Sequence, residues 1–221
     1  MFAIKDKFPG AGYTDLRVEA PPATGLDANL GRLPVLDVTE NGVTTTIGQS
    51  KGIWAYVASE LGLLGSTPLE TAQVWAFVEH ISELMAFYSK HVPWGSTPTE
   101  ETFAALFDDD SASDFAGPAV GATQSKRNVR WYAGRLERIV GDGFAVGGKL
   151  TLADVLIYYR FGDSLPEEGH EKVAKAQREP FGSLERTQKL LATHPRLAKI
   201  VDSVAAIPSV QKWKAIRKNT F

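Results

Sequence analysis

The chain has 221 residues, enough for one large or two small domains with a substantial apolar core. Apolar residues make up 43% of the sequence and charged residues 23%, and the net charge of −2 argues against nucleic acid or an anionic membrane as the main partner. The sequence contains no cysteine, which excludes disulfides, thiolate metal sites and a cysteine nucleophile.

The first thirty residues give few structural signals. The start, Met1–Lys7, lacks the apolar core of a secretory signal, and no apolar run in the sequence is long enough to cross a bilayer. We therefore expect a soluble, cytoplasmic protein. Tyr13–Glu19 alternates between polar and apolar residues, which predicts a short strand. The following stretch to Leu30 is rich in Pro and Gly and is predicted to be irregular.

A β-hairpin followed by a helix is the strongest local signal. Two runs rich in β-branched residues, 35–38 and 43–47, are joined through Asn41-Gly42, which is typical of a tight hairpin turn. Pro34 cannot donate to a sheet, so it belongs at the start of the first strand. Ser50 precedes an apolar repeat of helical spacing and is predicted to be the N-cap of a helix that closes near Gly62 and Gly65.

This pattern can hold a short peptide. A cis bond before Pro34 would turn the backbone N–H and C=O of Leu33 outward, where they can pair with an extended peptide. The helix start offers free N–H groups and a partial positive charge, so Gln49 and Ser50 are suited to hold a carboxylate. A purely structural hairpin with a capped helix explains the same residues, and the local pattern leaves both interpretations open.

The rest of the chain predicts helices. Thr67-Pro68-Leu69-Glu70 is a capping box that starts a long helix ending before Pro93. We expect a loop-rich link over residues 95–122 and a basic amphipathic helix over Ser125–Val140. A second box, with Thr151 as N-cap and Asp154 at N3, starts another helix. Two further helices are predicted to begin at Ser183 and Pro195.

Three motifs that suggest metal or phosphate chemistry lack essential residues. Asp108–Asp110 has neither the glycine nor the terminal glutamate of a calcium loop, which favours a solvated acidic loop. Gly143 and Gly148-Lys149 resemble a phosphate-binding loop, but Leu150 stands where that loop needs Ser or Thr. The four histidines show no metal spacing. We therefore predict no metal site.

The Leu33-Pro34 pair, the Gln49-Ser50 pair and the Thr-Leu-Ala-Asp box at 151–154 occur in the order and spacing found in the glutathione transferase family. The C-terminal stretch from His194 to Trp213 is also similar to that family's last helices. The resemblance, nearest to the sigma, mu, alpha and pi classes, implies a thioredoxin-like α/β N-terminal domain over residues 1–65. It also implies an all-α C-terminal domain over residues 67–221.

The resemblance implies a function as well. Glutathione, as co-substrate, would be held by five residues, of which the first is the weakest candidate: Arg32, Leu33, Pro34, Gln49 and Ser50. A hydroxyl would stabilise its thiolate, which would attack a small apolar electrophile in a detoxifying conjugation or isomerisation. The acceptor pocket would be lined from the helix around Met85–Tyr88, and the protein would be a homodimer.

One part of the resemblance is missing. The family's first strand, or the turn after it, carries the catalytic Tyr or Ser, but few residues precede Tyr13. We therefore expect a domain that lacks the first strand and most of the first helix, and we leave the catalytic residue unassigned. A truncated domain, a start of the chain that lies further upstream, and a protein that does not need the hydroxyl all explain this. Tyr13 would lie at the start of the second strand and does not take that role. The alternative function is a non-catalytic module of this fold that binds glutathione or a protein partner.

Overall fold

The structure, a computed structural model, describes residues 24–107, 127–171 and 173–216. The chain divides into two units, with the division between Leu64 and Gly65. The first unit contains a two-stranded sheet and a helix, and the second is built from helices. The predicted Tyr13–Glu19 strand and the Asp108–Asp110 run lie outside the described residues.

The hairpin of the first unit forms as predicted. Strand β1 (Val35–Glu40) pairs antiparallel with β2 (Val43–Gly48), and Val35 lies opposite Gly48. Asn41 and Gly42 both have positive φ, as a tight turn of this hand requires. A 3₁₀ turn, Asp27–Asn29, packs against β2, and helix α1 (Ser50–Glu60) follows the hairpin.

The second unit begins with its longest helix, α2 (Pro68–His91). The Thr67 hydroxyl accepts a hydrogen bond from the Glu70 N–H at 3.1 Å, as the capping box predicted. The Glu70 carboxylate accepts from the N–H of Ser66, one residue before the position that an ideal box would use. The apolar face of α2 is buried, and its core residues are Val74, Phe77, Val78, Ile81, Leu84 and Tyr88.

Shorter helices complete the second unit. They are α3 (Glu100–Phe107), α4 (Val129–Ile139), α5 (Leu152–Phe161), α6 (Lys175–Arg178), α7 (Leu184–Leu191), α8 (Pro195–Ala205) and α9 (Pro208–Ile216).

Helix α3 differs from the expected loop-rich link. The Thr99 hydroxyl caps its start by accepting from the Thr102 N–H at 3.2 Å, and Leu106 and Phe107 are buried. The helix therefore forms because it has both a capped start and an apolar side to bury.

A buried carboxylate fixes the start of α5. Asp154 is fully buried, and its oxygens accept hydrogen bonds from the N–H of Ala145 at 2.6 Å and from the N–H and hydroxyl of Thr151, each at 2.7 Å. Burial raises the pKa of the Asp154 carboxyl, and these donors oppose the rise. The predicted Thr151–Asp154 box is confirmed, and it also ties down the glycine-rich loop that precedes α5.

Helix α5 lies at the centre of the helical core. It packs against α2 on one side and α8 on another. Phe181, which has φ +48°, lies close to three other aromatic rings, with centroid distances of 5.1 Å to Phe161, 5.6 Å to Tyr88 and 6.4 Å to Phe107. This aromatic cluster joins α2, α3 and α5 through one buried side chain.

The loop before α5 also contacts the start of α2. The Lys149 ammonium donates to the Ser66 hydroxyl at 2.6 Å. Gly147 has φ +65°, and a Cβ there would lie 2.8 Å from the Glu70 carboxylate, so a larger residue would strain the backbone and displace the Glu70 side chain. The two capping boxes therefore lie side by side.

We predict that Asp154→Ala destabilises the helical unit by about 3 kcal/mol or more, because three buried donors lose their acceptor at about 1–3 kcal/mol each. Urea unfolding followed by tryptophan fluorescence measures the change. Thr67→Ala is the matched control, since it removes an exposed cap and is expected to cost about 1 kcal/mol. Equal losses in the two variants would show that the Asp154 network adds nothing beyond an ordinary cap.

Candidate functional site

The open end of the hairpin brings the two predicted residue pairs together. Val35 and Gly48 are partners at this end of the sheet. Leu33-Pro34 precedes β1 and Gln49-Ser50 follows β2. Both pairs therefore lie at the same end of the two strands. The predicted peptide-binding residues thus form one local cluster within the first unit.

The Leu33–Pro34 bond is cis, the form that the peptide-binding interpretation of this pair requires. Both residues are exposed, and 53% of the Leu33 surface is accessible. Among the described residues, no hydrogen bond engages the Leu33 backbone. Its N–H and C=O are therefore available to an extended peptide.

Gln49, and not Ser50, is the N-cap of α1. The first helical hydrogen bond runs from Ile53 N–H to Gln49 C=O at 3.0 Å, which makes Ser50 the first helical residue. The predicted cap was therefore wrong by one position. The Gln49 side chain is exposed and makes no capping hydrogen bond, and the first turn contains no acidic residue. The helix start can therefore receive an external carboxylate.

Gln49 also has a strained backbone. Its φ of +64° and ψ of +131° lie in a region that residues with a Cβ rarely adopt. Such a conformation costs about 1–3 kcal/mol and is concentrated at functional sites. In this conformation the chain passes from β2 directly into α1, and Gln49 lies at the open end of the hairpin.

A turn before the cis bond is hydrogen-bonded to the start of β1. The side-chain amide of Asn29, which is only 2% exposed, donates to the Pro34 carbonyl at 2.9 Å. The Asn29 carbonyl accepts from the backbone N–H of Arg32 at 3.1 Å and from its Nε at 3.4 Å. Arg32 is exposed beside the site, but its side chain is directed back to its own turn. Sequence analysis missed Asn29, whose only signal was an amide residue within a predicted turn.

In the described part of the first unit, no tyrosine hydroxyl lies at the predicted site, where it could stabilise a thiolate. Tyr56 donates to Glu40 at 3.2 Å, at the turn end of the hairpin and away from the predicted site. Burial, and then Glu40, raises the pKa of this phenol. Tyr13 lies outside the described residues. The catalytic group stays unassigned.

The predicted acceptor-lining helix is only partly available. Tyr88 is buried, donates to the Ala176 carbonyl at 3.3 Å and packs on Phe181. Burial raises its pKa to about 12. The aromatic core therefore encloses this side chain, while an acceptor pocket lined from the Met85–Tyr88 segment stays a prediction. Met85 is half-buried, and its role stays a prediction.

Within the described residues, no group of three or more His, Asp or Glu side chains could hold a metal ion. In the same part of the chain, no helix is both long and apolar enough to cross a membrane.

The α/β hairpin unit with its cis proline, followed by an all-helical unit, has the glutathione transferase fold. Residues 119–217 match the family model described as the glutathione S-transferase C-terminal domain. The crystal structure of the glutathione S-transferase from Ascaris lumbricoides is similar with a TM-score of 0.61 and 20% identity, covering 100% of this chain and 91% of that one. The expected fold class is therefore confirmed.

Two curated relatives extend the similarity to the sequence. "Probable glutathione S-transferase 6" of Caenorhabditis elegans is 29% identical over 200 residues, which cover 85% of this chain and 87% of the relative. "Glutathione S-transferase 1" of Ascaris suum is 26% identical over 216 residues, covering 96% and 87%. The C-terminal match and these relatives confirm the resemblance to glutathione transferases that the sequence motifs indicated.

We predict that Gly48→Ala destabilises the first unit, because an added Cβ would lie 2.2 Å from the Ala28 carbonyl oxygen in the 3₁₀ turn. The expected loss is about 1–3 kcal/mol. Gly52→Ala is the control, since its Cβ would meet only Ile47 at 3.5 Å and alanine favours a helix. Thermal unfolding should shift down for Gly48→Ala and stay level or shift up for Gly52→Ala. The same direction in both would contradict the close approach of the turn.

We predict that Gln49→Gly is more stable than Gln49→Ala by about 1 kcal/mol, because only glycine adopts this φ without strain. Both variants remove the same side-chain groups beyond Cβ, so their difference in urea unfolding isolates the backbone term. An alanine variant as stable as the glycine variant would show that Gln49 is unstrained.

Proposed function

We propose that this chain binds glutathione at the open end of the hairpin and transfers it to small apolar electrophiles. The observation that supports the proposal most is that Leu33-Pro34 and Gln49-Ser50 lie at the same end of the hairpin strands. The exposed Leu33 backbone can pair with the peptide, while the start of α1 can hold one of its carboxylates. The names of the curated relatives support glutathione as the substrate.

In this proposal, the chemistry is nucleophilic attack by the glutathione thiolate. A free thiol has a pKa near 8.5, so a site that lowers this value toward about 6 or 7 increases the fraction of thiolate at neutral pH. The peptide contacts at the hairpin would fix the position of the sulfur, and an apolar acceptor would then react with it. The residue that stabilises the thiolate is not part of the proposal.

The alternative function is a glutathione-binding module without transferase activity. The exposed Leu33 backbone and the start of α1 are enough for binding alone, and neither has an assigned role in thiolate stabilisation. Both functions share the same peptide site, so binding and conjugation must be measured separately.

We predict that Ser50→Ala weakens glutathione binding about tenfold or more, because a hydrogen bond to a charged carboxylate contributes about 1.5–3 kcal/mol. Calorimetry on the full chain measures the dissociation constant. Ser59→Ala, at an exposed position near the other end of α1, is the matched control and should leave binding unchanged. Equal affinity in Ser50→Ala and the unchanged chain would remove Ser50 from the site.

Conjugation of a general aromatic electrophile separates the two functions. A rate above the solution reaction that falls in Ser50→Ala supports the enzyme. Glutathione binding with no rate enhancement supports the binding module. Absence of binding would leave the fold without this ligand.

We also propose a cytoplasmic homodimer that acts in detoxification, as the family resemblance implies. Light scattering of the full chain at micromolar concentration tests the assembly, and a monomeric mass would reject the dimer.

A further inference from the structure

Asn29 is a buried polar residue in the described part of the first unit, and its side chain is incompletely hydrogen-bonded. Its side-chain nitrogen donates to the Pro34 carbonyl, and its side-chain oxygen is buried without a hydrogen-bond partner among the described residues. Its backbone carbonyl accepts hydrogen bonds from the N–H and the side chain of Arg32. The residue therefore joins both sides of the segment that carries Leu33.

The segment between these contacts has a defined shape. Leu30 donates to the Asp27 carbonyl at 3.0 Å, and Gly31 donates to that of Leu26 at 3.0 Å. Leu30 and Gly31 have φ values of +54° and +76°, so the chain turns sharply before Arg32. The Asn29–Pro34 bond closes this turn onto the start of β1.

Stability alone does not explain a buried asparagine here. An acceptor removed from water without a partner opposes folding, and an apolar residue of similar volume would avoid that loss. The bond from Asn29 to the Pro34 carbonyl is only partly buried, so water can replace the amide as partner of that carbonyl. Residues that lower stability in this way are expected where a fold maintains a binding geometry.

We propose that Asn29 is a positioning residue of the glutathione site. Its side chain is buried and so does not face a ligand at the surface, but it fixes the Pro34 carbonyl and thereby the orientation of the adjacent Leu33 N–H and C=O. This inference rests on the proposed function for its ligand. The position of the segment itself does not depend on that function, because the hydrogen bonds that hold it lie within the chain.

The test is Asn29→Leu, which keeps the branched outline of the side chain, is somewhat larger, and removes the donor. Three quantities are measured on the full chain: the glutathione dissociation constant by calorimetry, the midpoint of urea unfolding, and amide hydrogen exchange of the segment 30–33. We expect about fivefold weaker binding, faster exchange in that segment, and an unfolding midpoint that is unchanged or higher.

Asn128→Leu is the matched control. Asn128 is also buried, also makes one hydrogen bond to the backbone, from the Trp131 N–H at 2.9 Å, and also has one unpartnered atom. It caps α4 in the other unit, so this variant should lower the unfolding midpoint and leave glutathione affinity unchanged.

The outcomes separate the two claims. Unchanged affinity and unchanged exchange in Asn29→Leu would overturn the positioning role, as would a loss of affinity that only follows a lower unfolding midpoint. If the unchanged chain does not bind glutathione, the proposed function fails. The exchange of segment 30–33 then decides the role of Asn29 by itself, because faster exchange supports it and unchanged exchange rejects it.

Discussion

The helical unit depends on one buried carboxylate. Asp154 lies at the start of α5, and α5 contacts both the long helix α2 and helix α8. A carboxylate in such a place is tolerated because three donors surround it. The same donors belong to the loop before the helix and to the N-cap, so one group sets the loop, the helix start and the packing around them.

The first unit holds its site by different means. Its hydrogen bonds are local, and they fix short turns on both sides of the sheet end: Asn29 before β1 and Gln49 after β2. Each residue adopts an arrangement that costs stability, the first as an incompletely bonded buried amide and the second as a strained backbone. The result is the exposed backbone of Leu33 next to a helix start that has no side-chain capping hydrogen bond. Such a surface suits a small extended peptide that carries a carboxylate.

Sequence reasoning succeeded where the signal was local. Asn41-Gly42, the Thr67 box and the Thr151 box each specify their structure within four residues, and all three are present. It left alternatives open where tertiary packing decides. Tyr88 fits the apolar face of a helix equally well as core or as pocket, and only its contact with Phe181 makes it core. The positive φ of Gln49 could not be predicted, because glutamine has no preference for it. The side-chain bond of Asn29 depends on a turn whose shape the residue types do not specify.

The contact between the loop before α5 and the start of α2 has a consequence for how the helical unit responds to change. Glu70 serves the first cap and also borders Gly147, while Lys149 reaches Ser66 across the same gap. Damage to either helix start therefore perturbs the neighbouring one, and the energetic effects of substitutions at the two starts will not add. Position 147 is restricted twice, by its φ of +65° and by the Glu70 carboxylate beside it, so a shorter residue at position 70 would relieve only the second restriction.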